Sequence, residues 1–235
     1  MKHTKSLIVG LTGLAVSAAV SQAQLSLNFS SSPGSSIQFN GSADTFQFNP
    51  STFAGFGGVY AGTQWFIGSE TGGSSALGFF GSVGNSPFSY GPITINGPLQ
   101  TASVLGPLGS LDISDGTSHL TGDVNWEQIQ TSAFAGALNA ALLVNVTNLK
   151  YAGSNPDLLT LMAAGVGQMN LSFQFSPGET LTQLSTGVSP FSTSYAGSIS
   201  PAPEPGSVGL LVAGLGVLVL ARVVRKTHVK SEDQV

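Results

Sequence analysis

Short runs in which apolar and polar residues alternate recur along this chain, and a period of two suits a strand buried on one face and little else. "LSLNFS" sets Leu25, Leu27 and Phe29 on one side, "SIQFNG" does so with Ile37 and Phe39, and "TFQFNP" with Phe46 and Phe48. "MNLSFQF" repeats the pattern with Met169, Leu171, Phe173 and Phe175. In "LTGDVNWEQIQ" Val124 and Trp126 oppose Asp123, Asn125 and Glu127; in "ALLVNVTNLKY" Leu142, Val144 and Val146 oppose Asn145 and Thr147. Turn formers at Ser32-Pro33-Gly34, Asp115-Gly116 and Ser176-Pro177-Gly178 separate the runs. This spacing predicts an all-β chain, a single β-sandwich or jelly-roll-like domain. "FQFNP" at 46–50 echoes "FQFSP" at 173–177, which fits either equivalent strands of two sheets or coincidence.

One short helix interrupts the β pattern. "SNPDLLTLMAAG" offers Asn155 as cap, Pro156 at the first helical position, Asp157 in the first turn and Gly165 as the stop, so a helix is expected over 156–164. "TGGSSALGFFGSVGNSP" at 71–87 reads instead as a mobile loop, because glycine and serine dominate it.

Charge is concentrated at the ends. Residues 24–205 hold one basic side chain, Lys150, and charged residues make up 8% of the whole chain. Neutralising phosphates takes clustered Lys and Arg, so nucleic acid is excluded as a partner for this segment. There is no cysteine, which removes disulfides, thiolate metal sites and cysteine nucleophiles and leaves stability to the hydrophobic core. Fourteen phenylalanines and a net charge of only −4 argue against disorder despite the 31 glycines.

At the N-terminus, Lys2 and Lys5 precede an apolar run over 7–19, and Ser21-Gln22-Ala23 follows it. This is the layout of a secretory signal peptide over 1–23, cleaved between Ala23 and Gln24. A domain over 24–200 comes next. The segment 201–235 has three parts: a proline-spaced stretch over 201–205, an apolar run over 206–224 and a basic tail over 222–235. Sixteen helical residues at 206–221 span about 24 Å at roughly 1.5 Å each, and Arg222, Val223 and Val224 extend this to about 28 Å, near the roughly 30 Å hydrocarbon core of a bilayer. Arg222 can snorkel to the headgroups. Arg222, Arg225 and Lys226 form a basic stop that keeps the C-terminus cytoplasmic and the body exported.

Pro203-Glu204-Pro205, the glycine-rich apolar run and the arginine cluster, in that order, resemble the tripartite sorting signal of PEP-CTERM proteins of exopolysaccharide-producing Gram-negative bacteria. The resemblance covers about thirty C-terminal residues. It implies recognition by an exosortase-type membrane enzyme that cuts near Pro203, Glu204 and Pro205, after transient anchoring in the inner membrane, with the body passing to the cell surface or extracellular matrix. Proline lacks an N–H and favours extended neighbours, so Pro201, Pro203 and Pro205 keep that stretch out of helix and open to an enzyme.

Groups with catalytic or ligand chemistry are sparse in the body. His119 is its only histidine, in the expected hairpin "DISDGTSHLTGD", and no serine sits in G-x-S-x-G. Asp112, Asp115 and Asp123 bracket that turn, which suits either a calcium site or plain Asp-Gly turn chemistry; the EF-hand spacing fails at Ser114. Asp123 and Glu127 lie four residues apart on one strand, about 13 Å, too far for a glycosidase pair. Trp126 alternates with Val124 and is expected in the core; Trp65 and Trp126 are the alternatives for stacking on a sugar. No cofactor, metal site or catalytic residue is expected. Two classes of function stay open: a non-enzymatic structural or adhesive matrix protein, or a carbohydrate-binding or carbohydrate-degrading domain, with polysaccharide as the partner.

Overall fold

The computed structural model describes residues 24–133 and 139–202. The signal-peptide and C-terminal helix expectations lie outside the described residues. The alternating runs become strands in chain order: β1 (Ser26–Ser31), β2 (Ser36–Asn40), β3 (Thr45–Asn49), β4 (Trp65–Thr71) and β5 (Phe80–Gly84). Next come β6 (Phe88–Tyr90), β7 (Thr94–Asn96), β8 (Leu99–Gly106), β9 (Gly109–Ser114) and β10 (His119–Trp126). β11 (Gln128–Ser132), β12 (Asn139–Lys150), β13 (Gly167–Phe173), β14 (Phe191–Thr193) and β15 (Tyr195–Pro201) complete the set. The all-β expectation holds.

The ladder departs from two separate facing sheets. Its first part runs β10-β9-β5-β4-β1-β15-β13-β12, and β12 then pairs with β10, Val144 opposite Trp126 and Lys150 opposite Thr121. Eight antiparallel strands therefore close on themselves. A ring of this size is just wide enough for its own side chains to fill, and Leu27, Ile67, Ile113, Val124, Val146 and Met169 point inward and are buried. β12 is long enough to serve a second ladder, because Ala141 pairs with Ile129 of β11. From β11 the sheet continues β8-β6-β3-β2-β14.

The buried face of this second sheet is aromatic and meets ring residues from the ends of their strands. Trp126, the last residue of β10, stacks on Phe48 at 5.6 Å and touches Phe46 at 5.7 Å and Phe88 at 5.3 Å. Phe39 meets Phe173 at 5.2 Å, and Phe48 meets Tyr195 at 5.2 Å. The two Phe-Gln-Phe echoes thus start on strands of different ladders, β3 and β13, that share one core.

The expected helix forms as α1 (Pro156–Ala163), with Asn155 accepting from the Asp157 and Leu158 N–H groups and burying Leu158 and Leu161. Two expectations need correction. A second helix, α2 (Leu181–Thr186), follows β13; Thr180 and Gln183 form a reciprocal capping box and Leu181 and Leu184 are buried. Its six residues show too little apolar periodicity to stand out, although T-x-x-Q was a readable start signal. The expected loop at 71–87 contains β5, with Val83 buried. Its glycine is a packing requirement: a Cβ on Gly81 would lie 2.0 Å from Trp65 Cζ2.

Trp126→Ala should lower stability by roughly 3–5 kcal/mol, and Gly81→Ala by about 1–3 kcal/mol through overpacking against Trp65. Equilibrium urea denaturation checks both.

Candidate functional site

The chain enters and leaves the described domain side by side. β1 pairs with β15, Leu27 opposite Ile199, and the Gln24 Nε2 donates to the Pro201 carbonyl at 2.5 Å. Pro201 is the last ladder residue, opposite Gly167, so it belongs to a strand and not to a free proline-spaced segment. Gln24, the expected mature N-terminus, is exposed. Ala23, Pro203, Glu204, Pro205, Arg222, Arg225, Lys226 and the 206–224 run lie outside the described residues. Among the described residues no helix is long and apolar enough to cross a membrane.

The β9–β10 hairpin forms as expected, its Asp115-Gly116 turn using φ 89° at Gly116. Its acids do not converge. One Asp115 oxygen accepts from Thr117 N at 2.7 Å and Ser118 N at 2.6 Å, and the other from the Tyr151 hydroxyl. The Tyr151 hydroxyl, with the Ser118 and Thr117 donors, holds the Asp115 carboxyl well below the usual carboxylate range. Asp112 takes His119 Nδ1 at 2.8 Å. That hydrogen bond, with the charge of Asp112, raises the His119 pKa. Asp123 accepts from Asn148 at 2.6 Å. Among the described residues no three His, Cys, Asp or Glu side chains are grouped to hold a metal.

Asn148 owes its position to a bulge. Between Thr121–Lys150 and Asp123–Thr147 the register slips, and Asn148 takes φ 54°, a conformation asparagine tolerates. An open groove of about 330 Å³ results, lined by Asp112, Thr121, Asp123, Asn148 and Lys150. Glu127 follows β10 and accepts from Asn145 at 2.5 Å, so Asp123 and Glu127 are tied to different asparagines of β12.

Both tryptophans are core residues, Trp65 at 0% and Trp126 at 4% exposure, so neither can stack on a ligand. A different aromatic group lies on the outer face. Phe66 of β4 and Phe80 of β5 are direct cross-strand partners, and both are partly exposed because their neighbours Trp65 and Ile67 take the inner face. Tyr60 packs on them at 5.9 Å and 5.8 Å. The same cross-strand row runs through Ser114, opposite Phe80, to His119, opposite Ser114. Sequence reading missed this trio, since Phe66 and Phe80 meet only through the β4–β5 register; the adjacent "WF" and "FF" pairs were the only hint.

An NMR titration of the ring protons should place the His119 midpoint above 6.5, with Asp112→Asn returning it toward that value. Both side chains are largely exposed, 57% and 42%, so little stability should be lost with the pair. The chain matches no protein-family model, no curated protein and no solved structure.

Proposed function

We propose that the chain is an exported, non-enzymatic surface or extracellular-matrix protein, structural or adhesive in exopolysaccharide or biofilm. In this reading a signal peptide exports it, the 206–224 run anchors it briefly in the inner membrane, and an exosortase-type membrane enzyme sorts it to the cell surface or matrix. The β-sandwich-like body is the part displayed. The observation that carries the reading is the ordered series of Pro203-Glu204-Pro205, apolar run and Arg222, Arg225 and Lys226, set after a body with one basic residue. Two features of the body support it. The last ladder residue is Pro201, so a cut beyond it spares every strand pairing. The body also builds its core without disulfides, since the chain has no cysteine.

Changing Pro203, Glu204 and Pro205 together to Ala should leave export intact and accumulate full-length chain in the inner membrane. Arg222, Arg225 and Lys226 changed to Gln should instead weaken retention and orientation. Mass spectrometry of surface material from the native chain decides the matter: peptides extending into 210–224 would replace sorting by cleavage with a permanent anchor.

The Tyr60, Phe66 and Phe80 cluster favours a second reading, polysaccharide binding by the displayed body. Partly exposed rings offer apolar faces to sugar C–H groups, while Ser114, His119 and Asp112 beside them supply polar partners for hydroxyls. Phe66→Ser should abolish retardation in affinity electrophoresis through gels containing the host's exopolysaccharide, with the urea midpoint little changed. Equal mobility of both proteins in such gels would discard this reading and leave the first untouched.

A further inference from the structure

Two carboxyl groups, Glu70 and Asp157, lie within reach of each other beside α1. Glu70, near the end of β4 and opposite Leu27 of β1, has both carboxyl oxygens shut from solvent and without a hydrogen-bonding partner. Asp157, in the first turn of α1 and 7% exposed, lies within side-chain hydrogen-bonding reach of it. Two carboxylates are both acceptors, so a contact between them is satisfied only by a proton or a cation.

The surroundings favour a proton. Asp157 is already supplied with donors: its Oδ2 accepts from Ser74 N at 3.1 Å, Ser75 N at 2.6 Å and Ser75 Oγ at 2.6 Å. The α1 N-terminus adds a favourable field for its negative charge. Among the described residues the one backbone donor acting on Glu70 is the Ala76 N–H, which acts on Asp157 as well, and neither Glu70 oxygen is hydrogen-bonded. Space is short as well, since a Cβ on Gly73 would meet Asp157 Oδ1 at 2.4 Å and Leu25 Cδ1 at 2.8 Å. Among the described residues Asp157 is the only charged group acting on Glu70. The packing around the pair comes from Leu25 just before β1, Leu27 within it, the Ser74–Ser75–Ala76 loop and Asn155, which donates to the Ser75 carbonyl at 2.8 Å.

We propose that Glu70 and Asp157 share one proton, which latches the start of α1 and the 72–76 loop to β4, so that the latch holds in acid and loosens as pH rises. Burial raises the Glu70 pKa above its ordinary 4.5, the Ala76 N–H opposes this, and the charge of Asp157 adds to the rise. Burial would raise Asp157 too, but the Ser75 hydroxyl and the Ser75, Ser74 and Ala76 N–H groups outweigh it and lower its pKa. Glu70 is therefore the proton carrier. Because its folded pKa exceeds its unfolded one, its contribution is complete below 4.5 and is lost as pH rises through the folded value. Asp157 has the opposite sign, and its contribution is lost only as pH falls through its lowered folded pKa.

Hydrogen exchange of the full chain in detergent, read by mass spectrometry from about pH 4 to pH 7 and corrected for intrinsic rates, tests the latch. Protection of 156–163 and 72–76 should fall with rising pH and then level off, by about tenfold for each unit separating the folded and unfolded Glu70 pKa values. Glu70→Gln, whose amide donates to Asp157 without titrating, should hold protection high and flat. Asp157→Asn, which offers an amide to an ionised Glu70, should make protection rise with pH and serves if the glutamine variant fails to fold. A wild-type profile without slope, or the same slope in Glu70→Gln, overturns the shared proton. So does restoration of wild-type protection at pH 7 by calcium chloride, which would assign the pair to a cation.

Discussion

The architecture depends on β12 belonging to two ladders. Its second half pairs with β10 and closes the ring, while Ala141 in its first half pairs with β11 and begins the second sheet. β13 runs beside most of this length, Asn139 opposite Phe173 through Val146 opposite Gly167. Closure removes the free edges that an eight-stranded sheet would otherwise present. That matters for a body with one lysine, which lacks the edge charges by which exposed strands usually avoid pairing with other chains. Among the described strands, edges remain at β14 and at β7, each three residues long.

Closure also forces the aromatic residues to work as a joint. Trp126 ends β10 where the two ladders part, and Phe46, Phe48 and Phe88 of the second sheet surround its indole. Their contact areas supply what disulfides supply in smaller exported domains. The indole N–H groups of Trp65 and Trp126 have no hydrogen-bonding partner among the described protein groups. Gln64 shows the opposite solution. Its buried side chain accepts from Val83 N at 2.7 Å and donates to Val83 O at 3.1 Å, while its carbonyl takes the Tyr195 hydroxyl at 2.9 Å. A side-chain amide thus completes the ladder between β4 and β5.

For display on a surface, the useful consequence is that β15 lies between β1 and β13. Among the described residues the last strand is interior to the ring, with both of its edges taken by β1 and β13. The outer face then offers hydroxyls, amides, one aromatic trio and the bulged groove at Asn148. Those are features for weak contact with neutral polymers, in keeping with the proposed matrix role.

Period-two alternation was enough to place most strands and to assign Trp126, Phe173 and Val124 to the core, because facing of the side chain is a local property of extended backbone. Asn155 and Pro156 likewise announced α1 through capping, which is satisfied within four residues. The ends of the chain carried the proposed address in their sequence alone, since hydrophobic length and charge order are properties a membrane reads directly. Ring closure was invisible because it rests on a pairing, β10 with β12, that alternation cannot distinguish from any other. β5 was hidden by its glycines and was ordered by Trp65 and β9. The same limit applies to Glu70 and Asp157, 87 positions apart in the chain. As isolated residues each reads as a solvated acid, and only the docking of the α1 start on the loop after β4 turns them into two acceptors in need of one proton.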